Sequence, residues 1–215
     1  MGKSLVSVII PCFNNWLYIE QAINSIVNQT YRFIELIVVD DGSNQKTKDI
    51  LNALSDKINV LIHQDNKGQS AARNEGVKYA KGDYILFLDS DDFFEPEFCE
   101  LAVERIKNNN EIKIVTCYSN IIVDENVNRV FKPHGGTLQN MILSNCAMGS
   151  CLIRKDDWQI TGGYDESMRT GFEDWEFYIR ILSLGGKVEV IDKILFNYRK
   201  GHVSTTSKAN SIKNE

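Results

Sequence analysis

The sequence is poor in the features that would mark a secreted, disulfide-bonded or membrane-spanning protein. Its 215 residues include three prolines and five cysteines, and the cysteines form no CxxC pair. Because their number is odd and their spacing wide, we expect neither a disulfide framework nor a zinc site. No apolar run approaches the roughly 20 residues of a membrane helix, and the N-terminus lacks the pattern of a secretory signal. We therefore expect a cytoplasmic chain without a transmembrane segment.

Excess positive charge is also absent. The chain has 24 Lys and Arg residues against 29 Asp and Glu residues, a formal net charge of −5. A protein that binds nucleic acid through its phosphates needs a basic surface, so we expect no nucleic-acid partner. Hydrophobic residues make up 43% and charged residues 25% of the chain, as in ordinary globular proteins. The core can be held by packing alone.

Apolar runs alternate with helical patterns through the first half of the chain. The sequence predicts strands at 5–10, 34–39, 60–62 and 84–88, and helices at 16–28, 46–54, 70–80 and 97–107. This alternation is typical of a parallel sheet covered by helices on both faces. Residues 1–110 are therefore predicted to form an open α/β nucleotide-binding half.

The second half has a mixed pattern. Short strands are predicted at 114–117, 121–124, 129–132, 149–153, 188–191 and 195–198, with helices at 138–143 and 174–184. We predict one compact domain over residues 1–205, with halves at 1–110 and 111–205. A polar tail is predicted at 206–215.

Polar segments follow all four predicted strands of the first half, at residues 11–14, 40–43, 66–74 and 89–92. The carboxyl ends of parallel strands meet at one edge of the sheet, where such folds bind their ligands. Neighbouring acids raise one another's pKa unless a cation offsets their charge. Asp89 and Asp91, two apart on an extended segment, would point to the same side. The pattern therefore favours a hard divalent cation at this edge.

Each of these features also has a plainer interpretation. Residues 89–92 can form an acidic turn that caps a helix, and Asp41 can be a simple N-cap. Arg73 can be a solvated surface cation rather than a diphosphate contact. Glu173 and Asp174 begin an aromatic-rich helix, where acids favour the helix dipole without any catalytic role. The glycine motifs of dinucleotide-binding and phosphate-loop proteins are missing, which weakens dehydrogenase and ATPase interpretations.

Taken in order, seven segments resemble family 2 of the inverting glycosyltransferases, enzymes with the GT-A fold. They are SVIIPCFN at 7–14, VVDDGS at 38–43, NKGQSAARN at 66–74, FLDSDD at 87–92, GGYDE at 162–166, FEDWE at 172–176 and YRKGHVSTTS at 198–207. The resemblance implies a parallel αβα nucleotide-binding half fused to a smaller mixed α/β acceptor half. The implied activity moves a sugar from a nucleotide-diphosphate sugar to an acceptor hydroxyl.

The resemblance also implies roles for individual residues. The nucleotide-binding set is Pro11, Phe13, Asn14, Asp41, Arg73 and Asp89. Asp91 and His202 are the expected ligands of Mn²⁺ or Mg²⁺, although Asp92 leaves open whether Asp89/Asp91 or Asp91/Asp92 is the pair. Asp174 matches the catalytic base of the family, and Glu173 is expected to orient it.

A UDP-sugar is the expected donor, with guanosine or thymidine as open alternatives for its base. The expected partner is a glycan or lipid-linked acceptor in bacterial surface polysaccharide or glycan synthesis. Peripheral association with the inner membrane face and a homodimer are compatible with this assignment. Two alternatives stay open. A sugar-1-phosphate nucleotidyltransferase would usually have a glycine-rich loop after the first strand, which residues 11–14 do not supply. A non-catalytic nucleotide-sugar-binding protein would share the site without turnover.

Overall fold

A computed structural model of the chain describes residues 4–200. Within this range the strands are β1 (Val6–Cys12), β2 (Ile34–Asp41), β3 (Val60–Gln64), β4 (Tyr84–Phe87), β5 (Phe93–Phe94), β6 (Ile112–Val123), β7 (Asn126–Phe131), β8 (Leu152–Arg154) and β9 (Lys187–Arg199). The helices are α1 (Ile19–Val27), α2 (Gln45–Ala53), α3 (Gln69–Tyr79), α4 (Phe98–Lys107), α5 (Leu138–Leu143), α6 (Lys155–Thr161) and α7 (Glu173–Ser183).

The strands form one sheet in the order β3-β2-β1-β4-β8-β6-β9-β5, with β7 paired to β6. β1 lies parallel between β2 and β4, and β3 extends this part in the same direction. β8 runs antiparallel to both β4 and β6, and so joins the two halves of the sheet. The predicted parallel half and mixed half are therefore both present in a single sheet.

β1, β2 and β4 are largely apolar on both faces because helices cover both faces of this part of the sheet. Every residue of β1 is buried. α1 packs through Ile19, Ala22, Ile23 and Ile26, the spacing of an amphipathic helix. α3 packs so closely on the sheet that a Cβ at Gly76 would lie 2.5 Å from Cγ2 of Ile9. These contacts hold the carboxyl ends of β1, β2 and β4 at one edge.

Three elements of the second half differ from the sequence prediction. β6 is one strand where two were predicted, because register shifts near Cys117–Tyr118 break the apolar pattern without ending the ladder. β9 is also continuous, although residues 192–194 in its middle are exposed. The helix α6 was not predicted at all. It has only seven residues, and it ends at Gly162, which adopts a left-handed conformation with φ 79°.

Other predictions can be checked against the described residues. All five cysteines are buried and free. None of the helices between residues 4 and 200 is long and apolar enough to cross a membrane. The predicted domain end at residue 205 and the tail at 206–215 lie outside the described residues and stay predictions.

Candidate active site

A cavity of about 680 Å³ lies at the carboxyl ends of β1, β2 and β4. This volume is in the range of pockets that bind small molecules, roughly 300–1,000 Å³. Of the residues predicted from the sequence, those that line it are Pro11, Phe13, Asp41, Asp89, Asp91 and Glu173. Asn14, Arg73 and Asp174 do not line it. The predicted edge of the sheet therefore carries the larger cavity of the site.

A smaller cavity of about 170 Å³ adjoins it. The two cavities share Gln69, Asp89, Gly171, Glu173 and Tyr198. The smaller one is also lined by Arg73, Asp92 and Asp174, and by residues 147–150 of the second half. The fold thus brings the acids at the strand ends next to the acids that begin α7.

Asp41 is a hydrogen-bond acceptor for the loop between β3 and α3. Its Oδ1 accepts from Nε2 of Gln64 at 2.7 Å and from the backbone N–H of Lys67 at 2.8 Å, and its Oδ2 accepts from the N–H of Gly68 at 2.9 Å. These bonds fix the loop that borders the larger cavity. Because a carboxylate has about four acceptor sites, one remains for a ligand.

The neighbouring acid, Asp40, points to the other face of β2. It is fully buried, and its carboxylate accepts from the N–H of Ser43 at 2.9 Å and contacts Nδ1 of His63 at 2.8 Å. Burial alone would raise the pKa of Asp40, but these hydrogen bonds lower it. Asp40 therefore supports the turn after β2, whereas Asp41 borders the cavity.

Phe13 and Asn14 follow β1. The Phe13 side chain lines the larger cavity and is 51% exposed, so it presents an open apolar surface there. Asn14 has a positive φ of 55°; its backbone N–H donates to Oγ of Ser43, and its Oδ1 accepts from the N–H of Asn44. Asn14 thus ties the loop after β1 to the loop after β2.

Residues 89–92 form a turn, which was one of the two interpretations of the sequence, and not the extended segment of the other. The N–H of Asp92 donates to the carbonyl of Asp89 at 3.1 Å and closes the turn. Asp92 is 1% exposed, and its Oδ1 accepts from the backbone N–H of Arg199 at 2.7 Å. The guanidinium of Arg199 donates to the carbonyl of Asp91. β9 therefore holds this turn from behind, and Asp89 and Asp91 line the larger cavity.

Asp91 has the properties of a cation ligand. Burial, together with the charge of Asp89, raises its pKa to about 6, so a nearby cation would favour its ionised form. Within residues 4–200 no group of three or more His, Cys, Asp or Glu side chains is arranged to hold a metal. Mg²⁺ commonly combines one or two carboxylates with phosphate oxygens and water, so Asp91 fits this role. The second predicted ligand, His202, lies outside the described residues.

Arg73 is buried inside the protein, so its interpretation as a solvated surface cation is wrong. Its side chain is 2% exposed, and Nη2 donates to Oδ1 of Asp89 at 2.7 Å. Nη1 donates to Oε1 of Glu173 at 3.1 Å. The guanidinium carbon lies 4.9 Å from the ring centroid of Tyr164. Paired carboxylates offset the cost of burying this charge, and the pairs connect the end of β4 to α7.

The chain enters α7 through Gly171 and Phe172, which have φ values of 109° and 66°. A left-handed conformation is costly for a residue other than glycine, and such strain is concentrated at functional sites. It places Glu173 and Asp174 in the first turn of α7, at the wall of the smaller cavity. The acids are therefore held by the fold and are not simple surface residues of a helix N-terminus.

Asp174 has a raised pKa of about 6. Burial is the main cause and the charge of Glu173 adds to it, whereas Arg73 opposes it. Oδ2 of Asp174 accepts from Nδ2 of Asn145 at 3.3 Å. A carboxylate whose pKa lies near neutral pH is suited to accept a proton in catalysis.

Three residues of this site were not predicted from the sequence. Gln69 donates from Nε2 to Oδ1 of Asp89 at 2.6 Å, Asn145 contacts Asp174, and Gly149 lies next to it. A Cβ at Gly149 would lie 3.2 Å from Oδ2 of Asp174. Gln69 is part of the NKGQ segment and could have been found there. Asn145 and Gly149 lie in the irregular second half, where no periodic pattern marks them.

Comparison with known proteins assigns the family. The sequence model described as glycosyl transferase family 2 matches residues 7–159. The chain belongs to this family. An uncharacterised glycosyltransferase of Methanocaldococcus jannaschii is 30% identical over 210 residues, which cover 93% of this chain and 72% of that protein. An uncharacterised glycosyltransferase of Haemophilus influenzae is 42% identical over 113 residues, which cover 51% of this chain and 45% of that protein.

Solved structures support the fold assignment. The crystal structure of S. aureus TarS 1–349 in complex with UDP-GlcNAc superposes with a TM-score of 0.78 at 24% identity. The match covers 94% of this chain and 60% of the TarS chain. The predicted GT-A fold is thereby confirmed. The chain spans less than two thirds of the length of TarS and of the Haemophilus relative.

Proposed function

We propose that this chain is an inverting, metal-dependent glycosyltransferase that moves a sugar from UDP-sugar to an acceptor hydroxyl. The observation that carries the proposal is the position of Asp174, an acid with a pKa of about 6 at the wall of the smaller cavity, which adjoins the nucleotide-sized cavity at the strand ends. Membership of glycosyl transferase family 2 supports the reaction class. The UDP-GlcNAc complex of TarS, a protein of the same fold, supports the donor class.

The nucleotide is proposed to bind in the larger cavity. Phe13 offers an open aromatic face on which a base can stack, next to Pro11. The remaining acceptor site of Asp41 suits an N–H group on the edge of uracil. Asp89, at the floor shared with the smaller cavity, suits a ribose hydroxyl. These features select a base with an N–H donor and a sugar with free hydroxyls.

The diphosphate is proposed to lie near Asp91, which would hold Mn²⁺ or Mg²⁺ together with phosphate oxygens. When bound, a divalent cation stabilises the negative charge that develops on the leaving diphosphate. The chain contributes the turn at residues 89–92, which Arg199 and the backbone of β9 keep in place.

The acceptor hydroxyl is proposed to enter the smaller cavity beside Asp174. Its proton moves to the carboxylate of Asp174 as its oxygen forms a bond to the anomeric carbon. The bond between that carbon and the diphosphate oxygen breaks at the same time, so UDP leaves with its electron pair. A single displacement of this kind inverts the anomeric configuration.

Replacing Asp174 by Asn tests the proposal. The amide cannot accept the proton, so we expect turnover to fall by about 10²- to 10⁴-fold. UDP affinity measured by calorimetry should stay unchanged, because Asp174 does not line the larger cavity. The matched control is D165N, since Asp165 is exposed and bonds only to Ser167 among the contacts of its side chain.

Two results would contradict the proposal. Near-normal turnover of D174N would remove Asp174 from the reaction. Nucleotide binding by the unaltered protein, without transfer or donor hydrolysis over a broad acceptor panel, would identify a binding protein instead. An acceptor panel of free and lipid-linked saccharides also tests the proposed place of the reaction, in polysaccharide or glycan synthesis at the cytoplasmic face of a membrane.

A further inference from the structure

The guanidinium of Arg73 connects two acids from different halves of the protein. One arm contacts Asp89, which follows β4, and the other contacts Glu173 in the first turn of α7. The side chain is almost wholly buried, and its Nε has no hydrogen-bond partner. Both terminal nitrogens are therefore already engaged by the protein, and Arg73 does not line the larger cavity.

We infer that Arg73 is a positioning residue, which holds Glu173 away from Asp174 and fixes the first turn of α7 so that Asp174 faces the smaller cavity. This inference rests on the proposed role of Asp174 as the base. It assigns Arg73 a task in catalysis that acts through Glu173 and not through the nucleotide.

The chemistry of the group explains why arginine is needed. Glu173 and Asp174 are neighbours and carry like charges, so an unrestrained Glu173 would compete for the same buried space. The planar fork of arginine can bond two carboxylates at fixed angles, whereas lysine is a point charge with one ammonium group. Buried ion pairs are often neutral for stability, so a structural gain alone does not account for the arrangement.

The charged and titratable groups that face Asp174 come from several elements. They are Arg73 of α3, Asp89 after β4, Cys151 before β8, Tyr164 after α6, Glu173 and Tyr178 of α7, and Tyr198 of β9. Arg73 is the cation among these groups. Its removal is therefore expected to raise the pKa of Asp174, whereas neutralising Glu173 is expected to lower it.

A double-mutant cycle with R73M, E173Q and R73M/E173Q tests the inference. In R73M, Glu173 loses the cation that holds it beside Asp174, so we expect kcat to fall by about 100-fold. The acid limb of the kcat–pH profile should move to higher pH, and the KM for the donor should change little. E173Q should move the limb to lower pH. The double variant should recover part of the lost kcat, because the unpaired acid has been removed.

The control is R154M. Arg154 donates to the carbonyls of Ile106 and Asn109 and lies near the ring of Tyr84, yet it lines neither cavity. Its loss should lower the melting temperature and leave the kcat–pH profile unchanged. R73K, which keeps the charge without the fork, should show a kcat between those of R73M and the unaltered protein. If R73M does not fold, R73K and the double variant supply the same comparison.

A higher donor KM with normal kcat in R73M would overturn the inference, since Arg73 would then act on the nucleotide. Additive losses in the double variant, or an unmoved pH profile in both single variants, would also overturn it. These outcomes concern Arg73 only. Failure of the proposed function is a separate result, because it is judged by the turnover of D174N alone. If D174N is inactive and R73M behaves like R154M, Asp174 remains the base and Arg73 is structural.

Discussion

The strongest consequence of the raised pKa of Asp174 is that replacing this acid should stabilise the protein. The pKa of Asp174 is raised from 3.8 to about 6, chiefly by burial. At 1.36 kcal/mol for each pKa unit, ionised Asp174 costs the folded state about 3 kcal/mol at neutral pH. Asp174 also lies in the first turn of α7, where the helix dipole favours a negative charge, and the raised pKa is the net result after this favourable effect. Because an amide carries no charge to desolvate, D174N should be more stable by about 3 kcal/mol.

The pH dependence of this difference identifies its cause. A carboxyl group with a raised pKa in the folded state binds its proton more tightly there than in the unfolded chain. Its contribution to stability is therefore complete below pH 3.8 and is lost as the pH rises through about 6. The stability that D174N gains over the unaltered protein should be near zero at pH 3.8. It should grow between pH 3.8 and about 6 and stay constant at higher pH.

Thermal unfolding across this pH range measures the effect. For a chain of this size, a gain of about 3 kcal/mol raises the melting temperature by roughly 6–12 °C. E176Q is the control, because Glu176 is in the same turn but pairs with Arg180 at the surface. It should give no gain. A D174N protein that is less stable at neutral pH, or whose gain does not depend on pH, would refute the reasoning.

Three further predictions concern turnover. kcat should fall as the pH decreases through about 6, because protonated Asp174 cannot accept a proton; a profile that stays flat in this range would contradict the assigned base. G149A should lower kcat by about 10-fold, since its Cβ would lie 3.2 Å from Oδ2 of Asp174 and displace it. UDP affinity, measured by calorimetry, should not change in G149A, and an unaltered kcat would contradict the geometry. EDTA should abolish transfer and Mn²⁺ should restore it in a donor-turnover assay, whereas full activity in EDTA would exclude metal dependence.

The first half of the fold could be predicted from the sequence because its signals are local. β1 and β2 are apolar runs with every inner position buried, and the helix between them, α1, has regular apolar spacing. In the second half, register shifts in β6 and the exposed middle of β9 interrupt the pattern, although hydrogen bonding between these strands continues. These strands are determined by pairing between segments that are distant in the sequence. The local spacing of apolar residues gives no information about such pairing.

The site could also be predicted only in part, where its residues follow local patterns. Acids that follow apolar strands, such as Asp41 and Asp91, are visible in the sequence because they sit where strands end. The burial of Arg73 is not visible, since a helical arginine has the same pattern whether it faces solvent or a pair of acids. The position of Gly149 beside Asp174 is also not visible in the sequence, because it depends on how the two halves pack together.

The central claim is that a nucleotide-binding edge and a separate base, Asp174, act on one donor. A crystal structure of D174N with Mn²⁺ and an intact UDP-sugar tests it most directly. We expect the nucleotide in the larger cavity beside Phe13 and Asp41, and the metal on Asp91. We expect the sugar at the smaller cavity with its anomeric carbon facing residue 174. A nucleotide bound elsewhere, or a sugar directed away from residue 174, would contradict the account.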